Sequence, residues 1–220
     1  MTVSEKRTLA QWLSWIEQCH PSEIELGLDR LSQVYTNMAL DLSGSRKIII
    51  GGTNGKGSTV ALLDQVLRDA GISVGCFTSP HFLRYNERIK LAGQPIEDEL
   101  LVQAFEAIDL ARGEIRLTYF EYNTLAALYV FAQQRPDVLL LEVGLGGRLD
   151  AVNIIDAELA IVTTVAIDHI DWLGDDREQI GYEKAGIFRV GMPALCGDPE
   201  PPQKLINYAD EIGAQLFCRG

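Results

Sequence analysis

The chain has 220 residues, 47% hydrophobic and 23% charged, enough for one sizeable α/β domain or two small ones and unlike a disordered chain. Its formal charge of −12 argues against a surface built to neutralise nucleic acid, although one local basic site can still hold a small polyanion such as a nucleotide. Cys19, Cys76, Cys196 and Cys218 form no CxxC pair, so they read as reduced thiols acting as small core hydrophobes, not as a disulfide framework or a zinc site.

In chain order, residues 5–19 predict a helix with Leu9, Trp12, Leu13 and Ile16 on one face. This stretch is neither a signal peptide nor a membrane span, and no later apolar run is long enough to cross a bilayer, so a soluble cytoplasmic protein is expected. A strand over 47–51 leads into a helix over 58–70, opening at Ser58 or Thr59, and a strand follows over 73–77. Residues 78–90, with His81, Arg84, Tyr85, Asn86, Glu87 and Arg88, read as a long active-site loop, or else as a charged, merely solvated one. Helices over 97–112 and 121–134 come next, then strands over 137–143 and 158–166. The chain continues with a helix over 177–188, a strand over 193–196, a turn at Pro199, Pro201 and Pro202, a helix over 202–213 and a strand over 215–218. Because "DVLLLEV" and "LAIVTTVAI" are apolar throughout, they fit strands covered on both faces. The expected architecture is α/β, a mostly parallel sheet flanked by helices.

The stretch "IIIGGTNGKGSTVALLDQVLRDAG" concentrates glycines between a strand and a helix. In such a turn backbone N–H groups converge on an anion, the helix dipole supports them and Lys56 adds a charge, so Thr53, Asn54, Gly55, Lys56, Gly57 and Ser58 are candidate phosphate contacts. Asn-Gly is also a hairpin signal, but a helix pattern follows it here. Gly57 stands between Lys56 and Ser58, where the common phosphate-loop pattern puts the hydroxyl directly after the lysine. Glu142 follows "DVLLL" at the carboxyl end of a buried strand, the sheet edge from which the glycine loop also emerges, and His169 is placed in the same way at the end of "IVTTVAIDH".

"GTNGKGS" resembles the nucleotide loop of the Mur ligase superfamily. "ELGLDR", "TSPHFLRYNERI", "TYFEYNTLAAL", "EVGLGGRLDAVN" and "DHIDWLG…EKAGI" resemble its folylpolyglutamate synthase and dihydrofolate synthase branch. The resemblance implies a P-loop-containing ATP-binding domain that ligates L-glutamate to dihydropteroate and to reduced folates through an acyl phosphate. It implies Ser79, Glu142 and His169 as ligands of Mg²⁺, with Mn²⁺ able to substitute, whereas phosphate-loop mechanics alone would nominate Ser58. By the same resemblance Lys184 is carbamylated, where the residues alone also allow an ordinary surface charge pair with Glu183, and Lys56, Lys184 and His169 are catalytic. The pteroyl portion is placed against Glu25, Leu26, Gly27 and Leu28, against Thr118, Tyr119, Phe120 and Glu121, and against Leu149, Asp150 and Ala151. Tyr119 and Phe120 can stack on flat rings while Glu121 or Asp150 accepts from N–H donors; the blander reading has Phe120 in the core and Asp150 capping a turn.

Val152 stands where the family often has threonine. Such enzymes are longer, so residues 1–220 are expected to be the N-terminal ATP- and folate-binding domain, with the C-terminal glutamate-ligase domain outside this chain and a monomeric state. Two other readings remain: a Mur-type ligase acting on a nucleotide-linked peptide, which the folate-type segments oppose, and a nucleotide-binding module without catalysis.

Overall fold

A computed structural model describes residues 7–19, 25 and 27–219. Among them, eight strands form one sheet in the order β4-β3-β2-β5-β1-β6-β7-β8. The strands are β1 (Arg46–Gly51), β2 (Val74–Phe77), β3 (Ile89–Leu91), β4 (Gln94–Pro95), β5 (Val138–Glu142), β6 (Leu159–Val162), β7 (Pro193–Cys196) and β8 (Gln215–Cys218). From β2 to β8 every pairing is parallel, and β3 and β4 add an antiparallel edge. Parallel order sends the segments after β1, β2, β5 and β6 out of one edge of the sheet, the edge at which open α/β proteins assemble their sites.

The helices are α1 (Leu9–Ile16), α2 (Asp29–Met38), α3 (Lys56–Asp69), α4 (Asp98–Arg112), α5 (Tyr119–Gln134), α6 (Ile170–Leu173), α7 (Arg177–Ala185) and α8 (Gln203–Ile212). Strand alternation divides the core between the two faces of the sheet. Ile50, Val74, Cys76, Val138 and Leu140 pack with Val60 under α3, while Ile49, Phe77, Leu139 and Leu141 belong to the larger cluster with α1, α2, α4 and α5. In α1, Trp12 and Ile16 are the buried residues of the predicted face.

Several boundaries differ from expectation. Residues 5 and 6 of the expected first helix, and Leu26, lie outside the described residues. α3 opens at Lys56, two residues before Ser58, because Gly55 at φ 84° supplies the left-handed turn that starts it. α5 opens at Tyr119, where Thr118 and Glu121 cap reciprocally: Glu121 N donates to Thr118 Oγ1 at 3.3 Å and Thr118 N to Glu121 Oε2 at 2.7 Å. The strand expected over 158–166 stops at Val162 because Thr163 and Thr164 turn their hydroxyls to the glycine loop. His169 therefore does not end a strand; it sits at φ 50° and caps the short α6. The 78–90 segment is only partly loop, since a 3-10 turn over Tyr85–Arg88 runs straight into β3 and buries Tyr85, Asn86 and Arg88. Cys76 and Cys196 are core residues as expected, whereas Cys19 is half-buried and Cys218 exposed.

Candidate active site

The glycine loop is held by the segment after β6. Thr53 N donates to Thr164 O at 2.8 Å and Asn54 N to Thr164 Oγ1 at 3.1 Å, while Thr163 Oγ1 donates to Asn54 O at 2.7 Å. That segment is braced in turn by Asp198, which accepts from Val165 N at 2.7 Å and from Arg177 at 3.0 Å. The amides of Lys56, Gly57 and Ser58 lead the first turn of α3, where helical N–H groups have no partner within the helix. The Lys56 ammonium folds back on the loop, donating to Gly52 O at 2.9 Å and Thr53 O at 3.2 Å.

Glu142 is buried at the end of β5 and faces this turn: a β-carbon added at Gly57 would lie 3.7 Å from each of its carboxylate oxygens. Burial pushes its pKa up, opposed by the Ser79 amide and the charge of Lys56. Ser79 lines two cavities at once. One, of about 660 Å³, runs along α3 past Gly55, Gly57, Ser58 and Glu142. The other, of about 280 Å³, is bounded by Glu25 and Gly27, by Thr118, Phe120 and Glu121, by Leu149, Asp150 and Ala151, and by His169.

The second cavity thus gathers residues from three separate sequence segments expected to hold the pteroyl group, beside two of the expected metal ligands. Leu28 and Tyr119 are not on its wall: Leu28 is the N-cap of α2, and Tyr119 packs at 6.3 Å against Tyr85. Phe120 combines both readings given to it, lying 5.9 Å from Phe77 while lining the cavity over Gly144, where a β-carbon would come within 2.5 Å of its ring. Asp150 likewise caps a turn, accepting from Val152 N at 3.0 Å and Leu145 N at 2.8 Å, and is pushed up to about 6 by burial. Val152 is buried in the core.

Lys184 is not half of a surface pair with Glu183, whose carboxylate takes a 2.9 Å ion pair from Arg148. It is buried, and desolvation followed by the nearby Lys56 charge lowers its pKa to about 8. Among the described residues no cluster of three or more His, Cys, Asp or Glu is arranged to hold a metal. The expected set is of another kind, a hydroxyl, a carboxylate and an imidazole. Its chemistry fits a divalent cation, because a desolvated carboxylate at a helix N-terminus gains from a cation beside it.

Sequence reasoning placed Arg88 in the 78–90 loop without giving it a role, and overlooked Thr163, Thr164 and Arg30. Two hydroxyls inside the apolar run "LAIVTTVAI" were the available signal for the first pair. Arg30 closes the segment "ELGLDR", but its pairing was not legible there: it pairs with Glu25 five residues away and with Glu121 across 91 residues of chain.

The Mur ligase middle domain pattern matches residues 50–216. The chain belongs to that family. It is 50% identical over 212 residues to the dihydrofolate synthase/folylpolyglutamate synthase of Escherichia coli (strain K12), covering 96% of this chain and 50% of that protein. The protein of the same name from Haemophilus influenzae is 47% identical over 219 residues, covering 100% and 50%. The fold superposes on E. coli FolC in complex with DHPP and ADP with a TM-score of 0.95, at 50% identity over 97% of this chain and 52% of that one. On a bifunctional folylpolyglutamate synthase/dihydrofolate synthase with Mn, AMPPNP and L-glutamate bound, the TM-score is 0.91 at 48% identity, covering 100% and 53%. The chain spans about half the length of the curated relatives it matches.

Proposed function

We propose that this chain supplies the ATP- and folate-binding part of an enzyme that ligates L-glutamate to dihydropteroate, giving dihydrofolate, and to reduced folates, extending their glutamate tail. The observation that carries this reading is Ser79, whose residue borders both the groove along the phosphate loop and the apolar cavity, so nucleotide and acceptor meet at one point.

The acceptor carboxylate attacks the terminal phosphorus of ATP, releasing ADP and leaving an acyl phosphate. The glutamate amine then attacks the acyl carbon, an N–C bond forms and phosphate departs with the electron pair of the broken C–O bond. Positioning and charge neutralisation dominate such phosphoryl transfer. Lys56 and the first amides of α3 hold the phosphates. Ser79, Glu142 and His169 would hold Mg²⁺ or Mn²⁺, which shields phosphate charge when bound. Lys184, with a pKa of about 8, has enough neutral amine near neutrality to take up CO₂, and its carbamate would place an anion close to Lys56.

The relatives' greater length supports a further domain completing the glutamate site. Among the described residues no helix is long and apolar enough to cross a membrane. An assay with ATP and L-glutamate, run with dihydropteroate and separately with a reduced monoglutamyl folate, tests the reading on the full-length protein. ATP binding without product from either acceptor would favour a non-catalytic nucleotide module.

A further inference from the structure

Arg88 is buried, with 7% of its surface exposed, and lines the apolar cavity. Its surroundings hold it in place without neutralising it. Nε donates to His81 Nδ1 at 2.9 Å, and the guanidinium carbon lies 5.8 Å from the Tyr85 ring centroid and 5.6 Å from that of Tyr119. His81 cannot supply a counter-charge: an imidazole is neutral or cationic, and its Nδ1 is the acceptor of this bond.

The carboxylates of the cavity are otherwise engaged. Glu121 is paired with Arg30 and accepts from Thr118 N, and Asp150 accepts from the amides of Leu145 and Val152. Glu25 is also paired with Arg30. Among the described residues, then, no carboxylate pairs with Arg88. A buried cation of this kind is costly unless something offsets its lost hydration, and ring faces return only part of that. A guanidinium offers its N–H groups as a fork matched to a carboxylate.

The position adds to the chemistry. Arg88 lines the same cavity as Ser79, Thr118, Phe120 and Asp150. Ser79 also borders the groove along the phosphate loop, and Phe120 and Asp150 on the cavity wall can hold a flat ring. An acceptor whose ring packs against Phe120 and whose carboxylate reaches toward Ser79 shares that cavity with the guanidinium.

We propose that Arg88 is the carboxylate-recognising residue of the acceptor cavity, selecting pteroyl ligands that end in a free carboxylate over neutral ones of the same shape. The assignment rests on the proposed function, because it takes the cavity as the acceptor site.

The test compares dihydropteroate with its methyl ester, by calorimetric titration of the full-length protein with a non-hydrolysable ATP analogue and Mg²⁺ present. The wild type is expected to bind the acid roughly ten- to a hundredfold more tightly than the ester, the worth of one charge-assisted pair. In Arg88→Gln that ratio is expected to collapse, with ester affinity little changed. Arg88→Lys, which keeps the charge without the fork, should fall between them; thermal melts show whether each variant is folded.

Equal binding of acid and ester by the wild type overturns the assignment, whether or not any variant folds. So does a folded Arg88→Gln or Arg88→Lys that keeps the full ratio, or that loses both ligands equally, as a structural role would give. If the wild type binds neither ligand, the acceptor reading of the cavity fails and the role of Arg88 falls with it.

Discussion

The backbone amide of Ser79 donates a 3.1 Å hydrogen bond to Oε2 of Glu142, tying the segment after β2 to the end of β5. The bond orients a carboxylate that burial would rather protonate toward the first turn of α3. Glu142→Gln keeps an oxygen for the Ser79 amide and removes the charge. Ligase turnover is expected to fall about a hundredfold or more, while the melting temperature holds or rises because a desolvated carboxylate is gone. Unchanged turnover would remove Glu142 from the site.

Lys184 links burial to reactivity. Its folded pKa of about 8 lies below the ordinary 10.5, so between those values the unfolded chain binds more protons and stability rises with pH. The neutral amine present near pH 8 is the form that adds CO₂. Intact-mass measurement in bicarbonate should show the wild type heavier by one CO₂, and Lys184→Ala should lack both the adduct and most of the activity. Short carboxylic acids should restore part of it. A fully active Lys184→Ala would end the carbamate idea.

For Asp150 the sign is opposite. Its folded pKa of about 6 stands above the ordinary 3.8, so the native state holds more protons between those values and stability falls as pH rises through that window. Relative to Asp150→Asn, the wild type should lose about 2 kcal/mol between pH 4 and 6. Urea unfolding of both proteins across this range measures it. Poorer capping by asparagine shifts the curves by a constant and leaves their difference in slope intact.

Gly52 is fixed by its neighbour. At φ +137°, a β-carbon there would fall 1.9 Å from Thr163 Oγ1, the hydroxyl that holds Asn54 O. Gly52→Ala should destabilise the protein by about 2–4 kcal/mol and weaken binding of an ATP analogue. Gly44→Ala, where nothing lies within 4 Å, serves as the near-neutral control.

Much of the fold was legible because burial leaves a periodic trace. The all-buried β5 matches its apolar run, and Leu101, Ala104, Phe105 and Ile108 are the buried residues of α4. α2 was missed because it is polar on average and buries only Leu31 and Val34, and β3 and β4 because three- and two-residue edge strands are too short to show a period. The end of β6 was misjudged because Thr163 and Thr164 favour strands by propensity, while their hydroxyls are taken by the glycine loop.

The sequence by itself determined the order of the parallel strands, the phosphate-type turn and the sheet edge at which Glu142 appears, because these follow from local spacing and from the rule that parallel strands share a direction. Only the tertiary structure decided that Lys184 is buried beside Lys56, that Arg30 spans to Glu121, and that Arg88 enters the cavity without a carboxylate partner among the described residues. Charge and desolvation depend on what lies within a few ångströms, and those neighbours come from parts of the chain far apart in sequence.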